Sequence, residues 1–114
     1  MKPTHKGFNN YSLELDKNQR VILKQFVNQM LQSIPSDANY YPVEKAFSGI
    51  YEKLKLENDS TKLTKDEFFK LKEALKRNIT HLEKEITKVW FFKRWIMKPM
   101  LKQYISIFNS NFKE

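Results

Sequence analysis

Scarcity of turn residues constrains this chain more than any other feature. Its 114 residues hold two glycines, Gly7 and Gly49, and four prolines, Pro3, Pro35, Pro42 and Pro99. Many-stranded folds and glycine-rich ligand loops need tight turns at short intervals, and those turns draw heavily on Gly and Pro. Helix is the alternative, so an all-α domain of four to five helices is expected. The length suits one domain, with a core that closes without disulfide staples. Cysteine is absent, which excludes a disulfide framework, thiolate catalysis and cysteine-based metal sites.

Local signals place the elements. Residues 1–10, with Pro3, Gly7 and the Asn9–Asn10 pair, read as a flexible basic arm, and residues 11–114 as a single helical domain. Tyr11, Ser12, Leu13, Glu14 and Leu15 alternate in the manner of a short strand. Asp16 stands at an N-cap position with Gln19 three residues on, and the helix over Lys17–Ser33 gathers Ile22, Leu23, Phe26, Val27, Met30 and Ile34 on one face. Pro42 fits the first turn of a second helix, whose stripe is Val43, Ala46, Phe47, Ile50 and Leu54. Gly49, in mid-helix, costs about 1 kcal/mol relative to Ala, and close approach of a neighbouring helix is the expected reason, with a hinge or site as the alternative.

Thr64, Lys65, Asp66 and Glu67 form a capping box, with Leu63 and Phe68 at staple spacing. A third helix starts at Lys65 and runs either to about Met97 or to a turn near Asn78–His81. Residues 100–111 make a last amphipathic segment. Leu15 to Gln19 and Leu63 to Glu67 share a pattern that duplication and a common helix-start solution explain equally well, and the strand at Tyr11–Leu15 could pair near Lys62–Leu63 as a minor two-stranded element.

Catalytic and metal constellations are weak. With Glu67 as the last ligand of a calcium loop, Leu56 falls where the first carboxylate is required and Thr61 where glycine is required. The two histidines, His5 and His81, cannot build a closed zinc site, and a surface pair of His81 with Glu85 is the expectation. No nucleotide-binding glycine motif and no Ser–His–acid arrangement is present. A non-catalytic protein without cofactor or metal is the reading. The apolar stretch near the C-terminus is interrupted by Lys93, Arg94, Lys98 and Lys102, too charged for a spanning helix. No secretory leader pattern is visible. A cytoplasmic location, with a peripheral place at the inner membrane surface as the alternative, is expected.

The net charge of +8 is concentrated in the second half: residues 61–114 carry thirteen Lys/Arg against six Asp/Glu. On a continuous helix through residues 84–102, at about 100° per residue, Ile86, Val89, Trp90, Ile96, Met97, Met100, Leu101 and Tyr104 share one face. Lys84, Lys88, Lys98 and Lys102 fall opposite, with Phe91 and Trp95 among them and Phe92 also off the apolar stripe. Pro99 should kink or end this helix.

Such rings are either core of a central helix or a binding surface of Lys84, Lys88, Phe91, Phe92, Trp95, Lys98 and Lys102. The leading functional expectation is a small binding protein that regulates or inhibits a macromolecular partner, foremost a protein, through that surface. An anionic membrane surface and non-specific nucleic acid are the alternatives. Eighteen lysines to three arginines argue against base reading. In size, basic charge, helical plan and lack of cysteine the chain is similar in kind to the small immunity proteins of bacteriocin producers and to small prophage-encoded regulators. That likeness implies a bacterial or phage origin, to which the richness in Lys, Asn, Ile and Phe adds; no motif transfers a functional residue.

Overall fold

The computed structural model describes residues 4–6, 10–56 and 60–112, with side chains from Tyr11 onward. Strand β1 (Thr4–Lys6) and strand β2 (Asn10–Glu14) lead into helix α1 (Lys17–Ser33). A 3-10 turn at Ala38–Tyr40 precedes α2 (Tyr41–Lys55), and β3 (Ser60–Leu63) precedes α3 (Lys65–Ile86) and α4 (Phe91–Asn111). The fold is helical with a minor antiparallel sheet, as expected. The sheet has a third strand, in the order β1-β2-β3. Part of the stretch read as a flexible arm, Thr4–Lys6, therefore pairs with β2; residues 1–3 and 7–9 lie outside the described residues.

The chain is two copies of one plan, a strand followed by a helical hairpin. β2 feeds α1 and α2; β3 feeds α3 and α4. The strands pair with Tyr11 opposite Leu63 and Ser12 opposite Lys62, in the region around Lys62–Leu63 where pairing was anticipated. Both first helices open on full capping boxes, Asp16 with Gln19 and Thr64 with Glu67. Each box satisfies two amides that a helix start otherwise leaves free, a local reason for the chain to turn from strand to helix at those residues.

One core holds the halves together. The apolar faces of α1 and α2 meet β2, β3 and the first turns of α3, with Leu13, Leu23, Val27, Ile50, Leu54, Leu63, Leu71 and Leu75 fully buried. Phe68 stacks on Tyr11 at 4.5 Å and on Phe112 at 5.0 Å between ring centres, so one ring ties β2, α3 and the end of α4. Buried polar groups are held as well. Arg20 Nη1 donates to the carbonyls of Leu54 and Leu56 and to Thr61 Oγ1. Asn111 Oδ1 accepts from the Glu14 amide at 2.8 Å, pinning α4 to the end of β2. Gly49 is explained by close approach: a Cβ there would collide with the Glu67 carboxylate, itself held by Lys53 Nζ at 2.5 Å and by the Thr64 amide.

The third helix ends at Ile86, neither running to Met97 nor turning at Asn78–His81. Thr87 Oγ1 donates back to the Lys84 carbonyl at 2.7 Å. Arg94, from the next helix, donates Nε to the Ile86 carbonyl at 2.9 Å and Nη2 to the Val89 carbonyl at 3.2 Å. A cation over the last carbonyls of a helix satisfies unpaired acceptors and complements the negative end of its dipole. Reversal there also lets Tyr104, Ile107 and Phe112 return to the core. Pro99 does not end α4. It lies on the exposed side, where water can serve the carbonyl that its missing N–H leaves free.

Candidate functional site

The break at 87–90 changes which residues share a face. Phases counted from Ile86 do not carry across it, and Trp90, Ile96 and Met100, expected in the core, are exposed. Counted within α4 at about 100° per residue, the core side holds Met97, Leu101, Tyr104 and Phe108. The opposite side, an arc of about 180°, carries Phe91, Trp95, Pro99, Phe92, Ile96 and Met100. This part of α4 is apolar on both sides, and the fold uses only one.

The exposures are large. Trp90 is 82% exposed, Phe91 76%, Phe92 63%, Trp95 74% and Ile96 61%. No residue in 83–103 is buried, although Met97 and Leu101 lean on the core. The segment is the end of the second hairpin, where the last turns of α3 and the first turns of α4 outrun the core they share.

Of the residues anticipated as a binding surface, the structure gathers Phe91, Trp95, Lys98 and Lys102 along one side of α4. Phe91, Arg94, Trp95 and Lys98 line a shallow depression of about 370 Å³. Trp95, Lys98 and Lys102 line another of about 450 Å³, floored by Pro99, Leu101 and Ile105. Phe92 lies on the other flank of the same arc with Ile96. Lys84 belongs to the last turn of α3 and Lys88 to the corner, both exposed. From Ile86 to Phe112 the chain carries five basic residues and no acidic one. Arg94, half-buried at the corner, is committed to the carbonyls of Ile86, the last residue of α3, and of Val89 in the corner, so the outward-facing cations are lysines. Trp90 and Ile96 belong to the surface as well. Sequence reasoning missed both because their phase was counted from a helix that ends before them.

A larger concavity lies elsewhere, between α1, α2 and α3. It encloses about 690 Å³ above Phe26, Met30, Val43 and Phe47. Asp66, Lys70, Glu73 and Arg77 alternate along its α3 wall, and Lys70 is paired with Asp66. The wall has no net sign, and no buried polar side chain points to a ligand there.

Among the described residues no three of His, Asp and Glu come together in a group that could hold a metal. His81 is exposed and makes no ion pair with Glu85, a correction to the expected pairing: the described ion pairs are those of Lys53, Lys55 and Lys70. Burial pushes the Tyr104 phenol above the ordinary tyrosine value. No described helix is long and apolar enough to cross a membrane. No protein family, curated protein or solved structure matches the chain.

Proposed function

We propose that the protein is a non-catalytic binding protein that docks onto a larger partner through the end of its second helical hairpin. The observation that carries this reading is the exposure of Trp90, Phe91, Phe92, Trp95 and Ile96 on one projecting helix end, each more than half open to solvent. Scattered exposed apolar residues are ordinary, but a contiguous cluster of large rings is the usual mark of an interaction site. Aromatic side chains dominate binding energy where they become desolvated. The buried polar side chains support a non-catalytic role. Arg20, Glu67 and Asn111 are each engaged in contacts that hold helices and strands together, which gives each of them a structural role.

The two tryptophans test the reading directly, because both lie in the cluster. Steady-state emission and iodide quenching of the free protein, and of Trp90→Phe and Trp95→Phe, should show red-shifted, readily quenched indoles in every case. Blue emission that iodide cannot reach would mean the rings are already covered, and the reading falls.

A further inference from the structure

We infer that the partner is an anionic lipid bilayer, with the rings of the hairpin end seated at its headgroup boundary and the flanking lysines on its phosphates. This rests on the docking role proposed above and adds the chemistry of the occupant. Three observations choose lipid over a folded protein.

The first is shape. The apolar arc covers about half the circumference of α4 and continues over the corner through Trp90. An end that carries only shallow depressions and is apolar over half the circumference of its helix is fully desolvated only by something that closes around it. A fluid interface does so without a preformed groove, and indole and phenyl rings favour that depth.

The second is the kind of charge. Lys93 lies at one margin of the arc and Lys98 and Lys102 at the other, with Lys88 at the corner. Lysine is depleted at protein interfaces, but its long stem lies well along apolar surface with the ammonium reaching outward. Near an anionic surface each such lysine strengthens binding about fivefold. The absence of acidic residues from 86 to 112 leaves nothing in this stretch to oppose it.

The third is depth. No described helix can cross a bilayer, and below Leu101 the helix returns to the core through Tyr104 and Ile107. Insertion is therefore limited to the end of the hairpin, the geometry of an interfacial anchor.

The test uses the full chain with vesicles of phosphatidylcholine alone and of equimolar phosphatidylcholine and phosphatidylglycerol. Flotation at about 0.1 M salt should carry the protein with the anionic vesicles only, and raising salt to about 1 M, which shortens the screening length from about 10 to 3 Å, should release most of it. Both single-tryptophan variants should shift to the blue and resist iodide when bound. Trp95→Ala should weaken binding about tenfold or more, and the pair Lys98→Gln with Lys102→Gln about thirtyfold, with thermal unfolding unchanged.

No flotation with any vesicle at low salt overturns the lipid assignment. If the indoles of the free protein are nonetheless quenchable, the docking role stands, and a groove on a protein becomes the occupant to seek. Indoles shielded before any vesicle is added overturn both readings; where dilution exposes them, a second copy of the chain covers the rings. Vesicle binding that leaves both indoles quenchable places lipid on another face and also overturns the inference.

Discussion

The two hairpins of this protein are built alike, and their far ends differ in what they show to solvent. The first hairpin passes from α1 to α2 with no buried residue in 28–45, as the second does in 83–103. Both ends lean a few apolar side chains on the core: Met30, Leu31, Ile34 and Val43 in the first, Met97 and Leu101 in the second. The outward positions of the first end are filled mainly by polar residues such as Asn28, Gln29, Gln32, Ser33 and Asp37, with Tyr40 and Tyr41 as the apolar exceptions. The same positions of the second end hold Trp90, Phe91, Phe92, Trp95 and Ile96 beside lysines. The second hairpin is also longer, with helices of 22 and 21 residues against 17 and 15. The first end shows that this plan of strand and hairpin closes with a polar end. The rings of the second are therefore not a requirement of the fold.

The largest effect expected from that comparison is in the core. Phe68 is fully buried and stacks on rings from β2 and α4. Phe68→Ala should lower unfolding free energy by about 3–5 kcal/mol, read as a fall in urea midpoint at constant slope. A loss below about 1 kcal/mol would mean that the halves are not joined through this ring.

A smaller effect probes the junction of the halves. Gly49 faces the Glu67 carboxylate, which is held by its capping box and by Lys53. Gly49→Ala should therefore destabilise by about 1–2 kcal/mol through displacement of that carboxylate, overriding the gain in helix propensity. In a Glu67→Ala background the obstruction is gone, and the same substitution should stabilise by about 1 kcal/mol. A double-mutant cycle with no coupling would show that Glu67 moves aside freely.

Much of this was legible in the sequence, and the failures around the second hairpin end have one cause. α1 and α2 were readable because each is short, at 17 and 15 residues, and keeps one apolar face, with Asp16 and Pro42 marking the starts. The place where β2 meets β3, near Lys62–Leu63, was legible; the register itself is held by the burial of Leu13, since a one-residue slip would turn that side chain out of the core. The end of α3 was not readable. It uses neither glycine nor proline but the Thr87 hydroxyl and a guanidinium seven residues on, Arg94. A stop made by a side chain from the next helix leaves no local signal. From that single omission the phases of Trp90, Ile96 and Met100 came out on the wrong side, whereas Phe91, Trp95, Lys98 and Lys102 kept their relation because they all lie within α4. The hydrogen bond of Asn111 to Glu14 spans 97 positions and was beyond any local pattern for the same reason.

The smallest expected effect decides the comparison. If the rings of the second hairpin end do no work in folding, replacing them with the polar residues of the first should leave stability alone. Phe92→Gln and Trp95→Gln together, both on the outward arc of α4, should change unfolding free energy by no more than about 0.5 kcal/mol, because substitutions at exposed positions without packed neighbours seldom do more. Glutamine is at least as good a helix former as the rings it replaces, so any loss would have to come from lost contacts. Denaturation of the variant beside the unmodified chain, followed by far-ultraviolet circular dichroism, provides the reading. A loss of 2 kcal/mol or more would place the rings in the packing of the hairpin and dissolve the contrast between its ends. An unchanged midpoint would separate the two jobs of α4: its last turns, from Tyr104 to Phe112, close the core, and its first turns present rings that folding does not need.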